Sequence, residues 1–311
     1  MRILVTGGAG FIGSHLTEAL LPAHEVHVLD NLSTGRKENI PSAVPLHQID
    51  LQDEAAVRRL FSSEKYDIIF HLAAQVDVRT SVESPVSDAK VNILGLLHLL
   101  ESAKQQHPWI IFASTGGAIY GESPLLPLSE THPTLPESPY GIAKLAGELY
   151  IRHFGNTHHF PFTILRLANV YGPRQNPFGE AGVVAIFTHR LLSGQPVRIY
   201  GDGEQTRDFI FVEDVVRACL AVIEKPTRTQ GQTFNVGTGQ QTSVNALYRI
   251  LETITGLSYP PQHLPPKPGE LRHNALDGAR LHEATGWAPL VPLQEGLKRT
   301  ASAFAKAFHS T

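Results

Sequence analysis

Tyr140 and Lys144, in the run Tyr140-Gly-Ile-Ala-Lys144, are the side chains best spaced for chemistry in this 311-residue chain. Residues four apart on a helix share one face, with Cβ atoms about 5–6 Å apart. An ammonium so placed favours phenolate and draws the tyrosine pKa down from about 10 toward neutrality. Tyr140 is then a base near pH 7. The bland alternative for such a spacing is a surface tyrosine beside a solvated lysine. Position favours chemistry, because the pair opens the helix after the fifth predicted strand, and ligands of open α/β sheets sit at the carboxyl ends of the strands.

A second constellation binds rather than reacts. The first predicted strand runs into Thr6-Gly7-Gly8-Ala9-Gly10-Phe11-Ile12-Gly13. Glycines at 7, 10 and 13 let the backbone turn sharply and approach a pyrophosphate, while the following helix N-terminus supplies N–H donors and a positive dipole end. Asp30 ends the second strand, where a carboxylate accepts hydrogen bonds from an adenosine ribose and repels a 2′-phosphate, so NAD is expected over NADP. Arg36 and Lys37 are either a solvated turn or a counter-signal able to hold that phosphate. Asp50, beside Leu51 after the third strand, is either a partner for the adenine amino group or an ordinary helix cap.

These groups need a frame that brings strand ends together. Apolar runs at 3–6, 25–29, 44–49, 67–71, 109–113 and 162–167 alternate with segments of helical period at 11–21, 54–61, 85–104 and 138–154. Strands separated by crossover helices predict an α/β fold, a doubly wound parallel Rossmann sheet over residues 1–168 that carries the Tyr/Lys pair. From Asn169 the rhythm loosens: helices at 183–192, 214–223, 244–255 and 293–305, with strands at 197–200 and 208–212. Residues 169–311 therefore read as a smaller C-terminal α/β substrate-binding lobe, with crossing of the chain between lobes left open. The proline-rich stretch 259–268 reads as an extended connection.

Composition narrows the classes. Hydrophobic residues make up 42% of the chain, which suits a globular core and excludes a disordered one. With 26 Lys+Arg against 29 Asp+Glu, the net charge of −3 offers no basic field for nucleic acid. Cys219 stands alone and cannot close an intrachain disulfide, and no apolar run approaches the ~18 residues of a membrane span. A cytoplasmic protein without membrane or nucleic-acid partners is expected. The 16 histidines show no ligand spacing, so no metal site is expected.

Taken with His71-Leu-Ala-Ala, Tyr120-Gly121, Arg166-Leu-Ala-Asn-Val-Tyr-Gly-Pro-Arg174 and Arg207-Asp-Phe-Ile-Phe-Val-Glu-Asp214, these motifs resemble the extended short-chain dehydrogenase/reductase family of nucleotide-sugar enzymes over essentially the whole chain. The resemblance implies NAD held by Gly7, Gly10, Phe11, Ile12, Gly13, Asp30, Asn31, Asp50, Leu51, Leu72, Ala73, Ala74, Gln75 and Asn92 together with Tyr140 and Lys144. Gln75 stands where many bacterial epimerases have lysine. It implies a UDP-sugar held by Asn169, Arg207 and Lys267, with Arg272 as an additional clamp and Val183, Val184 and Phe187 walling the uracil. It further implies a homodimer joined through helices 85–104 and 138–154; Val91, Leu94, Leu97 and Leu100 recur at helical spacing on the first, and part of that stripe must face the sheet.

In that family a strand hydroxyl completes a triad with Tyr and Lys. Counted back from Tyr120, the usual position is Gly116, so Thr115 is the candidate here and Ser114 the second. The related dehydratases carry adjacent Asp and Glu after the loop threonine; Gly116-Gly117 supplies neither acid nor base for elimination. The resemblance therefore implies reversible inversion at C4 of a UDP-hexose. Tyr140 removes the 4-OH proton, hydride passes to NAD, and the transient 4-keto sugar rotates before hydride returns. A dehydratase or reductase of the same fold is the alternative, and a non-catalytic NAD-binding regulator the second, disfavoured by the intact Tyr140/Lys144 pair. Asn274, small where a bulky tyrosine restricts the pocket, implies tolerance of N-acetyl sugars, with His273 replacing it if the alignment slips by one.

Overall fold

The computed structural model describes residues 1–178, 182–266 and 271–309. Six parallel strands arise from the runs seen in the sequence: β1 (Arg2–Thr6), β2 (Glu25–Asp30), β3 (Leu46–Gln48), β4 (Ile68–His71), β5 (Trp109–Thr115) and β6 (Phe162–Leu167). A seventh, Gln232–Val236, pairs with β6, so the order across the sheet is Gln232–Val236, β6, β5, β4, β1, β2, β3. The sheet thus draws a strand from beyond residue 168, and a boundary at 168/169 divides the sequence without dividing the layers.

Strand residues alternate between two cores, as a pleat requires. Ile3, Val5, Phe70, Ile111 and Leu165 face one side. Leu4, Ile69, Ile110, Phe112 and Ile164 face the other. Both faces are covered, which is why these strands read as unbroken apolar runs. Helix Phe11–Leu20 packs with helix Val212–Glu224, and helix Glu54–Ser63 packs with helix Gly95–Ala103. The single helix expected at 85–104 is instead three pieces: Pro85–Ala89, one wide turn at Lys90–Leu94 in which the Gly95 N–H reaches the Lys90 carbonyl, and Gly95–Ala103. Such one-residue expansions re-aim side chains and recur at functional sites; here the residue at its centre is Asn92.

A third core belongs to the lobe, where Tyr171, Leu191, Ile199, Phe211, Leu247 and Leu251 pack together and Phe11 and Ile12 of the first helix lean against them. Short pairs frame it. Asn169–Tyr171 runs parallel to Phe209–Phe211, and Gln262–Leu264 within the proline-rich stretch runs parallel to Arg198–Tyr200. No helix of the described residues is long and apolar enough to cross a membrane.

Candidate active site

The helix Pro139–His158 starts where Ser138 caps it, its hydroxyl accepting from the Gly141 N–H at 3.1 Å, with Pro139 in the first turn. That start sets Tyr140 and Lys144 one turn apart against the carboxyl end of β5. The Thr115 hydroxyl is the side chain of β5 that acts on the Tyr140 phenol, favouring its ionised form. Ser114, the neighbouring hydroxyl, points elsewhere: it donates to Glu148 Oε1 at 2.6 Å, inside a buried network in which Arg166 grips both Glu148 oxygens at 2.9 and 2.7 Å and donates to Tyr120 at 2.9 Å. Adjacent strand residues face opposite ways, and only Thr115 faces the tyrosine.

The electrostatics depart from the sequence expectation. Lys144 Nζ donates to the Ala113 carbonyl at 2.9 Å and lies 4.9 Å from the Phe112 ring centroid, so its bond goes to the strand. Burial, and after it the Asp88 charge, hold the Tyr140 phenol above its ordinary 10, and the Thr115 hydroxyl works against that rise. Burial lowers Lys144 to about 8, opposed by Asp88 and Glu148. His71 is fully buried, hydrogen-bonded to Thr6 at 2.9 Å, and held neutral with a pKa of about 3.

The glycine-rich turn after β1 is sterically confined. Gly7 sits at φ +71°, and a Cβ on it would lie 2.8 Å from the Ala73 nitrogen; a Cβ on Gly13 would lie 2.1 Å from the Gly7 carbonyl oxygen. The turns after β1 and β4 therefore touch, and only glycine permits the approach. Helix Phe11–Leu20 has Gly10 as N-cap and no side-chain cap, which leaves first-turn N–H groups for an anion. Asp30, 7% exposed, accepts from the Ala9 N–H at 3.0 Å and the Leu32 N–H at 2.8 Å, so the carboxylate is locked at the strand end beside the glycine turn. Arg36 and Lys37 are exposed. Asn31 donates to Asp50 at 2.9 Å, and Asp50 also accepts from the Gln52 N–H at 2.8 Å; despite its partial burial these bonds hold its carboxyl below the usual range. Leu51 belongs to the second core and Leu72 packs on the first, while Ala73 donates to Thr6 at 3.3 Å and Ala74 is half-buried. Gln75 and Asn92 are tied to each other backbone to side chain at 3.0 and 2.9 Å.

On the substrate side, a Cβ on Gly116 would lie 2.3 Å from Leu276 Cδ1. The usual hydroxyl position is empty because Leu276 fills its space. Beyond it, a Cβ on Gly117 would reach Asn169 Oδ1 and the Thr115 hydroxyl, each at 3.7 Å, so these two polar groups border one small region. Asn169 Oδ1 and Asn274 Oδ1 are buried without a hydrogen-bond partner among the described residues, and Asn274 Nδ2 donates to the Gly116 carbonyl at 3.2 Å. Arg207 donates to the Thr206 carbonyl at 2.8 Å. Arg272 is committed to both oxygens of Asp202 at 2.8 and 2.7 Å, across exposed loops. Val184 and Phe187 are buried in the lobe's own core, so of the three apolar residues only Val183 is half-exposed; this is the ordinary fate of apolar residues at helical spacing. Lys267 lies outside the described residues. No group of three or more His, Cys, Asp or Glu suited to a metal occurs among the described residues.

Two acidic residues of this site were not singled out from the sequence. Glu148 continues the Tyr140, Lys144 spacing by one more turn, and Asp88 stands one turn before Asn92. Both were legible as i, i+4 partners; neither could be told from a solvated helix face without its neighbours.

Residues 3–237 match the NAD dependent epimerase/dehydratase family. The chain is 43% identical over 310 residues to a UDP-glucose 4-epimerase of Mycolicibacterium smegmatis, covering 98% of both chains. Among solved structures it is similar to the UDP-glucose 4-epimerase of Thermotoga maritima, determined with UDP-glucose: TM-score 0.96, 48% identity, 99% of this chain and 100% of that one. The UDP-glucose 4-epimerase of Thermus thermophilus, in complex with NAD, is similar at a TM-score of 0.93 and 44% identity, again over 99% and 100%.

Proposed function

We propose that this chain, which belongs to the NAD-dependent epimerase/dehydratase family, catalyses reversible inversion at C4 of a UDP-hexose, interconverting UDP-glucose and UDP-galactose through a transient 4-keto sugar. The observation that carries the reading is the helix start that sets Tyr140 and Lys144 against the end of β5, with Lys144 bonded to Ala113, next to Thr115 and Gly116-Gly117: a base with a neighbouring hydroxyl, and no acid pair for elimination. Bound NAD supplies the acceptor and donor of the C4 hydride. The chain's own residues do the rest. Gly7, Gly10 and Gly13 with the helix N-terminus hold the pyrophosphate and Asp30 takes the ribose. Thr115 aligns the sugar 4-hydroxyl, Tyr140 takes its proton and later returns it, and the Lys144 ammonium supports the charge on the phenol oxygen. In this reading Asn169 and Arg207 bind the diphosphate, supported by the buried, unpartnered Asn169 Oδ1, and Asn274 borders the C2 substituent.

The working unit is a homodimer. Val86, Leu94, Ile142 and Leu149 are exposed on helices of the pair named for the interface, and they form the kind of apolar surface a second copy covers. Leu100, by contrast, is fully buried in the second core and Leu97 packs against it, so the stripe expected from spacing divides between core and surface. The direct test is to incubate the protein with UDP-glucose, UDP-galactose and UDP-N-acetylgalactosamine separately, without added reductant, and analyse the sugars. Conversion of each of the first two into the other is expected; a 4-keto, 6-deoxy product identifies a dehydratase instead.

A further inference from the structure

The substrate-side residues lie far apart in sequence, and one buried carboxylate that the proposed reaction does not use joins the segments that carry them. Asp208 is fully buried between Arg207 and strand Phe209–Phe211. Both its oxygens accept from the Thr238 N–H at 3.0 Å. Its Oδ1 also accepts from the Thr238 hydroxyl at 2.5 Å, and its Oδ2 from the Gly239 N–H at 3.0 Å and the Leu276 N–H at 3.1 Å. Every partner is a donor, the surroundings that suit an ionised carboxylate. Gly237 makes room for them: a Cβ there would lie 2.6 Å from Asp208 Oδ2 and 2.8 Å from Leu276 Cβ.

These bonds converge on the substrate side. Leu276 fills the space over Gly116, and Asn274, two residues before it, donates to the Gly116 carbonyl at 3.2 Å. The segment is fastened on one side by Leu128, whose N–H donates to the Ala275 carbonyl and whose carbonyl accepts from the Asp277 N–H, both at 2.8 Å. Asp208 fastens the other side through Leu276. Its own backbone carbonyl accepts from the Asn169 N–H at 2.9 Å. Asn169 and Asn274 each keep a buried side-chain oxygen without a partner among the described residues, an acceptor left for a ligand.

We infer that Asp208 is a positioning residue of the substrate pocket. By tying Leu276 to the turn after strand Gln232–Val236 it seats Asn274 against Gly116, and through its own backbone it holds Asn169 and Arg207 beside them. The inference rests on the reading of these residues as the UDP-sugar site. None of the Asp208 bonds reaches the glycine turn of the cofactor side, so losing the carboxylate should loosen the sugar nucleotide and spare NAD.

Asp208→Asn keeps the volume, but whichever way its amide turns, an NH2 group meets a backbone N–H. In the NAD-loaded protein the calorimetric Kd for UDP-galactose should rise at least about tenfold, while the rate of NAD loss on dilution stays within about twofold. A variant that melts earlier but binds UDP-galactose as wild type does overturns the inference and leaves Asp208 a purely structural residue. Equal loosening of UDP-galactose and NAD overturns it as well. Should Asp208→Asn not fold, Thr238→Val removes one donor and keeps the shape: the same selective weakening, of about threefold, is expected, and an unchanged Kd overturns the inference equally. A wild type that binds NAD but no UDP-galactose defeats the functional reading and the inference with it; a wild type that binds UDP-galactose no better than Asp208→Asn defeats the inference alone.

Discussion

Tyr140 and its two hydroxyl neighbours separate roles that lie one residue apart. Tyr140→Phe keeps the ring and deletes the oxygen, so turnover should fall at least ~100-fold with UDP-sugar affinity largely intact; a variant retaining a tenth of the wild-type kcat defeats the base assignment. Thr115→Val should slow single-turnover hydride transfer, followed by reduced-nicotinamide absorbance, more than Ser114→Ala does. Ser114 donates into the Glu148–Arg166 pair, so its loss should appear as about 1 kcal/mol of stability in denaturant titration. The reverse ranking moves the triad role to Ser114. Lys144 sets a pH window. Burial lowers its pKa to about 8, so the ammonium is present below that pH and lost as pH rises through it. The rate should fall along an alkaline limb centred near 8, and a profile flat through and beyond that pH shows that the lysine charge does not matter.

At the scale of elements, β1 and β4 lie side by side and their C-terminal turns meet at Gly7 and Ala73. The Thr6–His71 hydrogen bond pins that meeting. It also carries an acid liability. His71 has an ordinary value of 6.5 when unfolded and about 3 here, so below 6.5 the unfolded chain binds a proton that the native state refuses. Stability contributed by the neutral imidazole is complete above 6.5 and is lost as pH falls toward 3, at about 1.4 kcal/mol per pH unit. Urea midpoints measured down this window should decline more steeply for wild type than for His71→Asn; parallel declines assign the acid sensitivity to other groups.

For the molecule as a whole, the proposed dimer depends on apolar side chains left exposed on two helices. Ile142 and Leu149 are 54% and 61% exposed on the same helix whose opposite side buries Gly147, Ile151 and Phe154. Sedimentation at micromolar concentration should show a dimer, and Leu149→Arg should yield a monomer that keeps its fold by circular dichroism. A wild type that sediments only as a monomer removes the dimer from the proposal.

Local information determined much of this protein. The alternation of apolar runs and helical periods is a short-range property, and it foretold the parallel sheet through β6. Glycine at 7, 10 and 13 and the Tyr140, Lys144 interval are likewise local, since each depends on turn sterics or on one turn of helix. What needed the tertiary structure was every question of direction and of long-range partner. Spacing alone says that Ser114 and Thr115 face opposite ways; only the packing of Arg166 and Glu148 says which one meets Tyr140. The strand Gln232–Val236 joins β6 across more than sixty residues of sequence, a pairing no periodicity encodes. Gly116 lacks a side chain because Leu276, far along the chain, occupies its space. The Tyr140 phenol lies above its ordinary value because burial and the Asp88 charge disfavour its ionised form, and a pKa is set by burial and neighbours that a sequence does not order in space.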